Sequence, residues 1–338
     1  MSVTIRDVAK AAGTSAATVS KVMNGSYSIS QETTDRVNKV MEELDYHPNL
    51  RARNLAHKSS MTVVFVTTLG RNVGFQNPHM FEMMCGIEHT LSKKGYSLII
   101  KSMMPEEAVD YVRQSFETKS ADGFILHASV ISQELDEMIY QKEIPHLVIG
   151  MPDFDSHFCW TDVDNKYAGE VAAKYLLTCG YCSVAYIGGT EKDHTSMHRL
   201  DGVVSILNQH DVIRPKNYVQ YGESVPETGY AMTEQVLSGD KRPEAIICAN
   251  NYLAYGCYKA LHDLNIKIPD DIGVLSFDEY PFSQILDPQL TVVNIDMYDL
   301  GAEAGKTVLQ IIKKPKMHVQ SYITYPTVIE RSSTKKIQ

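Results

Sequence analysis

The chain has 338 residues, of which 43% are hydrophobic and 22% charged, with a formal net charge of −9. No run approaches the roughly 18 apolar residues of a membrane-spanning helix, and the first thirty residues lack an apolar signal core with a cleavage site. A cytoplasmic protein of one large or two to three ordinary domains is expected, without a disulfide framework, because the six cysteines are scattered and lie mostly in apolar runs.

The acidic average hides an asymmetry. Residues 1–60 carry eight Lys/Arg against six Asp/Glu, and the remainder 24 against 35. A mildly basic head on an acidic body suits a chain in which the head alone meets phosphate.

In the head, Ile5, Val8, Ala9 and Ala12 have the i, i+3, i+4, i+7 spacing of one helix face. Thr4 is placed to cap this helix, with Asp7 in its first turn, and Gly13 stops it. Ser15 caps a second helix with Val19, Val22 and Met23 inward, ending at Asn24-Gly25. Ser30 caps a third, striped by Val37, Val40, Met41 and Leu44, which stops before Pro48. Three short helices share one small core, and the first two have a helix-turn-helix outline. The outer face of the second, Ala16, Ala17, Thr18, Ser20 and Lys21, is small with one cation, as suits a helix entering a DNA groove. A plain packing unit would more often show Glu/Lys pairs there. The following PNLRARNLAHKSS, 48–60, is too polar and short for a stable helix in water, so a solvated linker is expected without DNA.

From Thr62 the pattern changes. The runs TVVFV, YSLIIK, DGFILHA, PHLVIG, SVAYIGG, AIICAN, IGVLSF and TVVNI alternate with helical stretches such as 80–94, 167–179, 198–209, 228–238 and 252–264. This alternation predicts an α/β body, a parallel sheet covered on both faces, and its length predicts two doubly wound subdomains. Ligands of such sheets sit at the carboxyl ends of the strands.

Two motifs are decoys. LGAEAGKTV, 300–308, has one residue too few for a phosphate loop and reads as helix interior. CGYC, 179–182, falls at a helix end, whereas a reactive thiol pair wants a helix start. His194 and His198 lack a matching ligand cluster. No nucleophile, metal set or cofactor loop emerges, so neither an enzyme nor a cofactor is expected.

TIRDVAKAAGTSAATVSKVMNG, Ser30–Tyr46 and PNLRARNLA closely resemble the head of the lactose-repressor (LacI) family of bacterial transcription regulators, over residues 3–57 without an obvious gap. The resemblance implies that Ala16, Ala17 and Lys21 face bases in the major groove. It implies phosphate contacts from Thr4, Ser15, Thr18, Ser20, Asn24, Thr33 and Tyr46. It also makes 48–60 a hinge helix that folds on DNA, pairs with its twin and wedges Leu55 into the minor groove, with Asn49, Ala52 and Arg53 as neighbours.

The resemblance continues, less densely, through NPHMFEMMCGIEHTL, WTDVDNKYAGEVAAKYL, RLDG, ANNYLAYG, SFDEY and DPQLTVV. It implies a fold like the periplasmic sugar-binding proteins, crossed three times by the chain. The implied layout is a head at 1–48, a hinge at 49–60, an N-subdomain at 61–162 plus 291–320, a C-subdomain at 163–290 plus 321–330, and a tail at 331–338. Arg199, Asn250 and Asp278 match the family's polar effector contacts, and Phe81 and Trp160 are candidates for stacking on a sugar. An ion pair between subdomains is the plain alternative for Arg199 and Asp278, and core packing for Trp160. Three positions depart from the family: Asn250-Asn251 for the usual Asn-Asp, Gly150 where some sugar-binding members have a carboxylate, and Ser224 where the purine-responsive member has an aromatic. A purine is thereby disfavoured.

The expected protein is a homodimeric repressor of a pseudo-palindromic double-stranded operator, controlled by a small carbohydrate effector. Two alternatives stay open: a catabolite-control-type regulator whose main co-regulator is a phosphorylated carrier protein, and a sugar-binding module with a vestigial head.

Overall fold

The computed structural model describes residues 3–23, 27–46, 59–70, 78–210, 212 and 216–336. They divide into two compact units, Met1–Met61 and Thr62–Gln338.

The first unit contains α1 (Ile5–Ala11), α2 (Ala16–Met23) and α3 (Gln31–Glu43). Val8, Ala9, Ala12, Val19, Val22 and Val37 form its buried core, and Ile29, Val40, Met41, Leu44 and Tyr46 pack around them. Each helix start is fixed within four residues. Asp7 accepts from the Thr4 N–H and hydroxyl at 2.9 and 2.7 Å, Ser15 Oγ from the Thr18 N–H at 3.1 Å, and Ser30 Oγ from the Thr33 N–H at 3.4 Å. Gly13 takes φ +63°, the left-handed turn between α1 and α2. Arg36 Nε donates to the Ala12 carbonyl at 3.1 Å, tying α3 to the end of α1.

In the second unit, the alternation inside β1 (Thr62–Thr67) sorts the helices onto two faces. Val63 and Phe65 join one core with α4 (Pro78–Ser92) and α11 (Met297–Lys313). Val64 and Val66 join the other with α5 (Pro105–Glu117) and α6 (Gln133–Lys142), because successive side chains of a strand point to opposite faces. The remaining strands here are β2 (Ser97–Ser102), β3 (Gly123–His127), β4 (His146–Ile149), β5 (Trp160–Val163) and β11 (Gln320–Thr324), in the order β11-β5-β4-β3-β1-β2.

The second sheet runs β12-β10-β9-β8-β6-β7. Its strands are β6 (Val184–Gly188), β7 (Val219–Tyr221), β8 (Ala245–Cys248), β9 (Gly273–Phe277), β10 (Thr291–Asn294) and β12 (Thr327–Ile329), accompanied by α7 (Asn165–Thr178), α8 (His194–Gln209), α9 (Pro226–Leu237) and α10 (Asn251–Asp263). Apart from the antiparallel β10–β12 pair, the strand pairs of both sheets are parallel.

The chain passes between the sheets after β5, after β10 and after β11. The expected boundaries at 291 and 321 each fall one strand early: β10 pairs with β9, and β11 with β5. Local pattern cannot place a buried strand in one of two similar sheets; long-range pairing does. Nor is 331–338 a free tail in its described part. Ser333 is buried, donates to the Val274 carbonyl at 2.6 Å and accepts from the Thr291 N–H at 2.7 Å.

Glycines set the helix pairs. A methyl at Gly301 or Gly86 would overlap the backbone of the partner helix across α4/α11, and so would one at Gly169 or Gly202 across α7/α8. Gly301 of the false phosphate loop is therefore a packing residue inside α11. Gly180 of CGYC ends α7 with φ +85°, and burial pushes the Cys179 thiol up, the opposite of an activated cysteine.

Candidate functional site

The head presents α2. Ala17 and Lys21, four residues apart, are exposed on one face, Ser20 is partly exposed beside them, and Ala16 leans onto the core. Thr4 and Ser15, expected at phosphate, also work as helix-start residues, and the Thr18 hydroxyl lies 3.0 Å from Ser15 Oγ. The Ser30 hydroxyl donates to Thr33 Oγ1 at 2.9 Å. Tyr46 is half-buried at the end of the α3 region. The Thr4 hydrogen bonds hold Asp7 below the usual carboxylate range. Asn24, Asn49, Ala52, Arg53 and Leu55 lie outside the described residues.

In the body, a cleft of about 970 Å³ opens where both sheets present the carboxyl ends of their strands. His127, Gly150, Asp162 and Asp278 line it, each at or just past the end of a strand. Arg199 comes from α8 and meets Asp278 through both terminal nitrogens at 3.2–3.3 Å. Its Nε donates to Asn165 Oδ1 at 3.0 Å, and a terminal nitrogen also donates to the Ala249 carbonyl at 2.7 Å. The guanidinium stacks over Phe277 with its carbon 4.4 Å from the ring centre. Both charges are buried, and such a pair persists because its hydrogen bonds are satisfied. Arg199 and Asp278 belong to the same subdomain, so the pair is not a bridge between the two.

Asp278 itself sits at φ +71°. Asn251, also buried, holds this turn: its amide donates to the Phe277 and Asp278 carbonyls at 2.8 Å, while its oxygen accepts from Ser283 at 2.6 Å. This explains the Asn250-Asn251 departure, since a carboxylate has no N–H to donate to two carbonyls. Gly150 has φ +100°, and a Cβ there would meet Ala128, so the position excludes the carboxylate found in some relatives.

Three of the expected contacts are not among the residues that line the cleft. Asn250 caps α10, accepting from the Leu253 N–H at 3.1 Å, and donates to Ser224 at 2.9 Å. Trp160 opens β5, at the strand end away from the cleft, and packs edge-on to Tyr322. Phe81 is 57% exposed, two residues after His79 and so on nearly the opposite side of α4. The aromatic side chains that do line the cleft include Phe154 and Tyr280.

His79, Asp162, Asn165 and His198 also line the cleft, although they were not among the expected contacts. The rule that ligands meet strand ends pointed to Asp162; His79 had no local signal. His79 reaches across from α4 to within 4.0 Å of Asp278 Oδ1, and burial holds its pKa down. Asp153 and His194 approach from opposite subdomains to 3.7 Å. Burial pushes Asp162 up, against backbone donors from Met151 and Val163, and pushes His127 down to about 4. No group of three or more metal-ligating side chains occurs among the described residues.

Comparison with known proteins agrees with this architecture. Residues 4–49 match the model of bacterial regulatory proteins of the lacI family, and residues 173–334 that of a periplasmic binding protein-like domain. The chain is 32% identical to the HTH-type transcriptional regulator MalR of Streptococcus pneumoniae serotype 4 (strain ATCC BAA-334 / TIGR4), over 99% of this chain and all of that one. It is 31% identical to catabolite control protein A of Staphylococcus epidermidis (strain ATCC 12228 / FDA PCI 1200), with 99% and 100% covered. The fold is similar to the crystallised Lac repressor dimer bound to operator and the anti-inducer ONPF, with TM-score 0.82 at 21% identity over 99% of this chain and 100% of that one.

Proposed function

The chain belongs to the lacI family of bacterial regulatory proteins and is a DNA-binding transcriptional regulator, and we propose that it acts in the cytoplasm as a homodimeric repressor whose cleft takes a carbohydrate. In this reading Ala17 and Lys21 of α2 face bases, with Ala16 and Ser20 beside them. The lysine reaches guanine acceptors and the alanine methyls meet thymine methyls. Thr4, Ser15, Thr18, Thr33 and Tyr46 hold phosphates, and the hinge residues through Leu55 wedge the minor groove.

The observation that carries the effector half is the Arg199–Asp278 pair, with Asn165 from its own subdomain and His79 and Asp162 from the other. A ligand touching both walls favours one closure over another, and a coupling of roughly 1–3 kcal/mol to operator binding follows. Exposed Ile99 and Ile100 on edge strand β2, with Phe81 on the adjoining α4, support association with a second copy.

Selection of duplexes from a random pool, followed by anisotropy with and without candidate sugars, tests this function. A palindromic consensus bound by dimers supports it, and absence of any selected duplex at low salt overturns it. The full-length likeness to catabolite control protein A supports a second reading, with a phosphorylated carrier protein as co-regulator. Operator affinity raised by that carrier and indifferent to sugars would favour it.

A further inference from the structure

Resting on the carbohydrate reading above, we propose that the cleft selects a hydroxyl-rich effector bearing neither phosphate nor carboxylate, and that Asp162 sets this selection. Four aspartates line the cleft: Asp153, Asp155, Asp162 and Asp278. Among the described lining residues, Arg199 is the one Lys or Arg, and Asn165, Ala249 and Asp278 occupy it. Asp278 is neutralised by that contact. His127 is uncharged near neutral pH, and its Nδ1 accepts from the Ser129 N–H at 3.2 Å.

Asp162 has no such partner. Its oxygens accept the Met151 N–H at 2.9 Å and its own neighbour's N–H, that of Val163, at 2.7 Å. Burial raises its pKa, and the Met151 and Val163 backbone donors and the nearby Arg199 guanidinium offset this only in part. A carboxylate only accepts, and each oxygen has a further lone pair. Sugar hydroxyls satisfy it; a second anion repels it in a site of lowered dielectric.

A second observation is independent of Asp162. Helix N-termini are the usual anion sites of such folds, and α7, α8 and α11 all begin at this cleft, contributing Asn165, His194 and Met297 to its wall. Each start is already filled by the chain's own carboxylate. Asp164 accepts from the Tyr167 N–H at 2.8 Å, Asp193 from the Ser196 N–H at 3.1 Å, and Asp296 from the Asp299 N–H at 3.0 Å. A phosphate therefore meets no free guanidinium among the described lining residues, and the starts of α7, α8 and α11 are closed to it. The volume lies at the upper end of small-molecule pockets, which suits more than one sugar ring.

The test is calorimetry and thermal shift on the full chain with matched pairs: glucose and glucose 6-phosphate, trehalose and trehalose 6-phosphate, and cellobiose and maltose with their phosphates. One unphosphorylated member is expected to bind at least about tenfold more tightly than its phosphate, and Asp162→Asn to narrow that gap at least about threefold. A phosphate that binds the wild type as well as its parent sugar overturns the proposal, whether or not the variant folds. Silence across both series, from a chain that still binds its selected operator, overturns the carbohydrate reading and this proposal with it.

Discussion

The head and the cleft are built on different length scales. Among the described residues, the core contacts that shape α2 come from within the first 46 positions, and the helix starts of the head are closed by residues three positions apart. The cleft joins Arg199 to Asn165, Ala249 and Asp278, which are 34, 50 and 79 positions away. The head is thus a local device on a core of few, small residues. The cleft depends on two large cores and a chain that passes between them three times. A surface fixed by local periodicity keeps its address in the sequence; a site fixed by strand pairing does not.

The largest effect should come from attacking the small core. Val19→Asp buries a charge where six residues carry the packing, a cost of more than about 4 kcal/mol that a domain this small does not withstand. Operator binding is expected to be lost while the thermal transition of the body is unmoved; a shifted body transition would show that the units are not independent. Next is Arg199→Ala, which leaves Asp278 buried without its partner and should cost the body about 3–5 kcal/mol in urea unfolding, with operator selection by the free protein retained.

A smaller loss, about 1–3 kcal/mol, is expected for Gly202→Ala, where the added methyl meets the Lys166 carbonyl and forces α7 and α8 apart. Ser15→Ala should cost the head about 1 kcal/mol by removing the α2 cap, read as a lower melting point of the head, with a loss of operator affinity that also includes the phosphate contact proposed for this hydroxyl. The mildest is a pH effect. The pKa of His127 falls from 6.5 to about 4 on folding. Between those values the unfolded chain binds the extra proton, so body stability is full above pH 6.5 and falls as pH drops toward 4. His127→Gln should flatten that part of the stability-versus-pH curve, and an unchanged slope would assign it to other groups.

Much of this architecture was legible beforehand. Helix faces in the head followed from the i, i+3, i+4, i+7 spacing of Ile5, Val8, Ala9 and Ala12. The parallel sheets followed from strand–helix alternation, and the place of CGYC at a helix end from its Gly180. In the cleft, Arg199 and Asp278 are brought together as a pair, whereas Asn250, Trp160 and Phe81, expected there, are not among its lining residues. Trp160 illustrates the reason: an aromatic on a strand near the site looks suitable until the strand's direction places it at the start of β5, while Asp162 and Val163 at the other end line the cleft. His79 illustrates the converse, a residue with no local signature that reaches Asp278 because α4 packs beside the other half of the body.

By itself the sequence determined the three small helices, their caps, the face offered by α2 and the α/β class of the body, since all of these arise from interactions between residues a few positions apart. Tertiary structure alone decided which sheet β10 and β11 join, which carboxylates face the cleft, and that Asn251 rather than Asn250 supports Asp278. Those outcomes depend on hydrogen bonds and packing between segments distant in the chain, for which neither periodicity nor propensity carries any information.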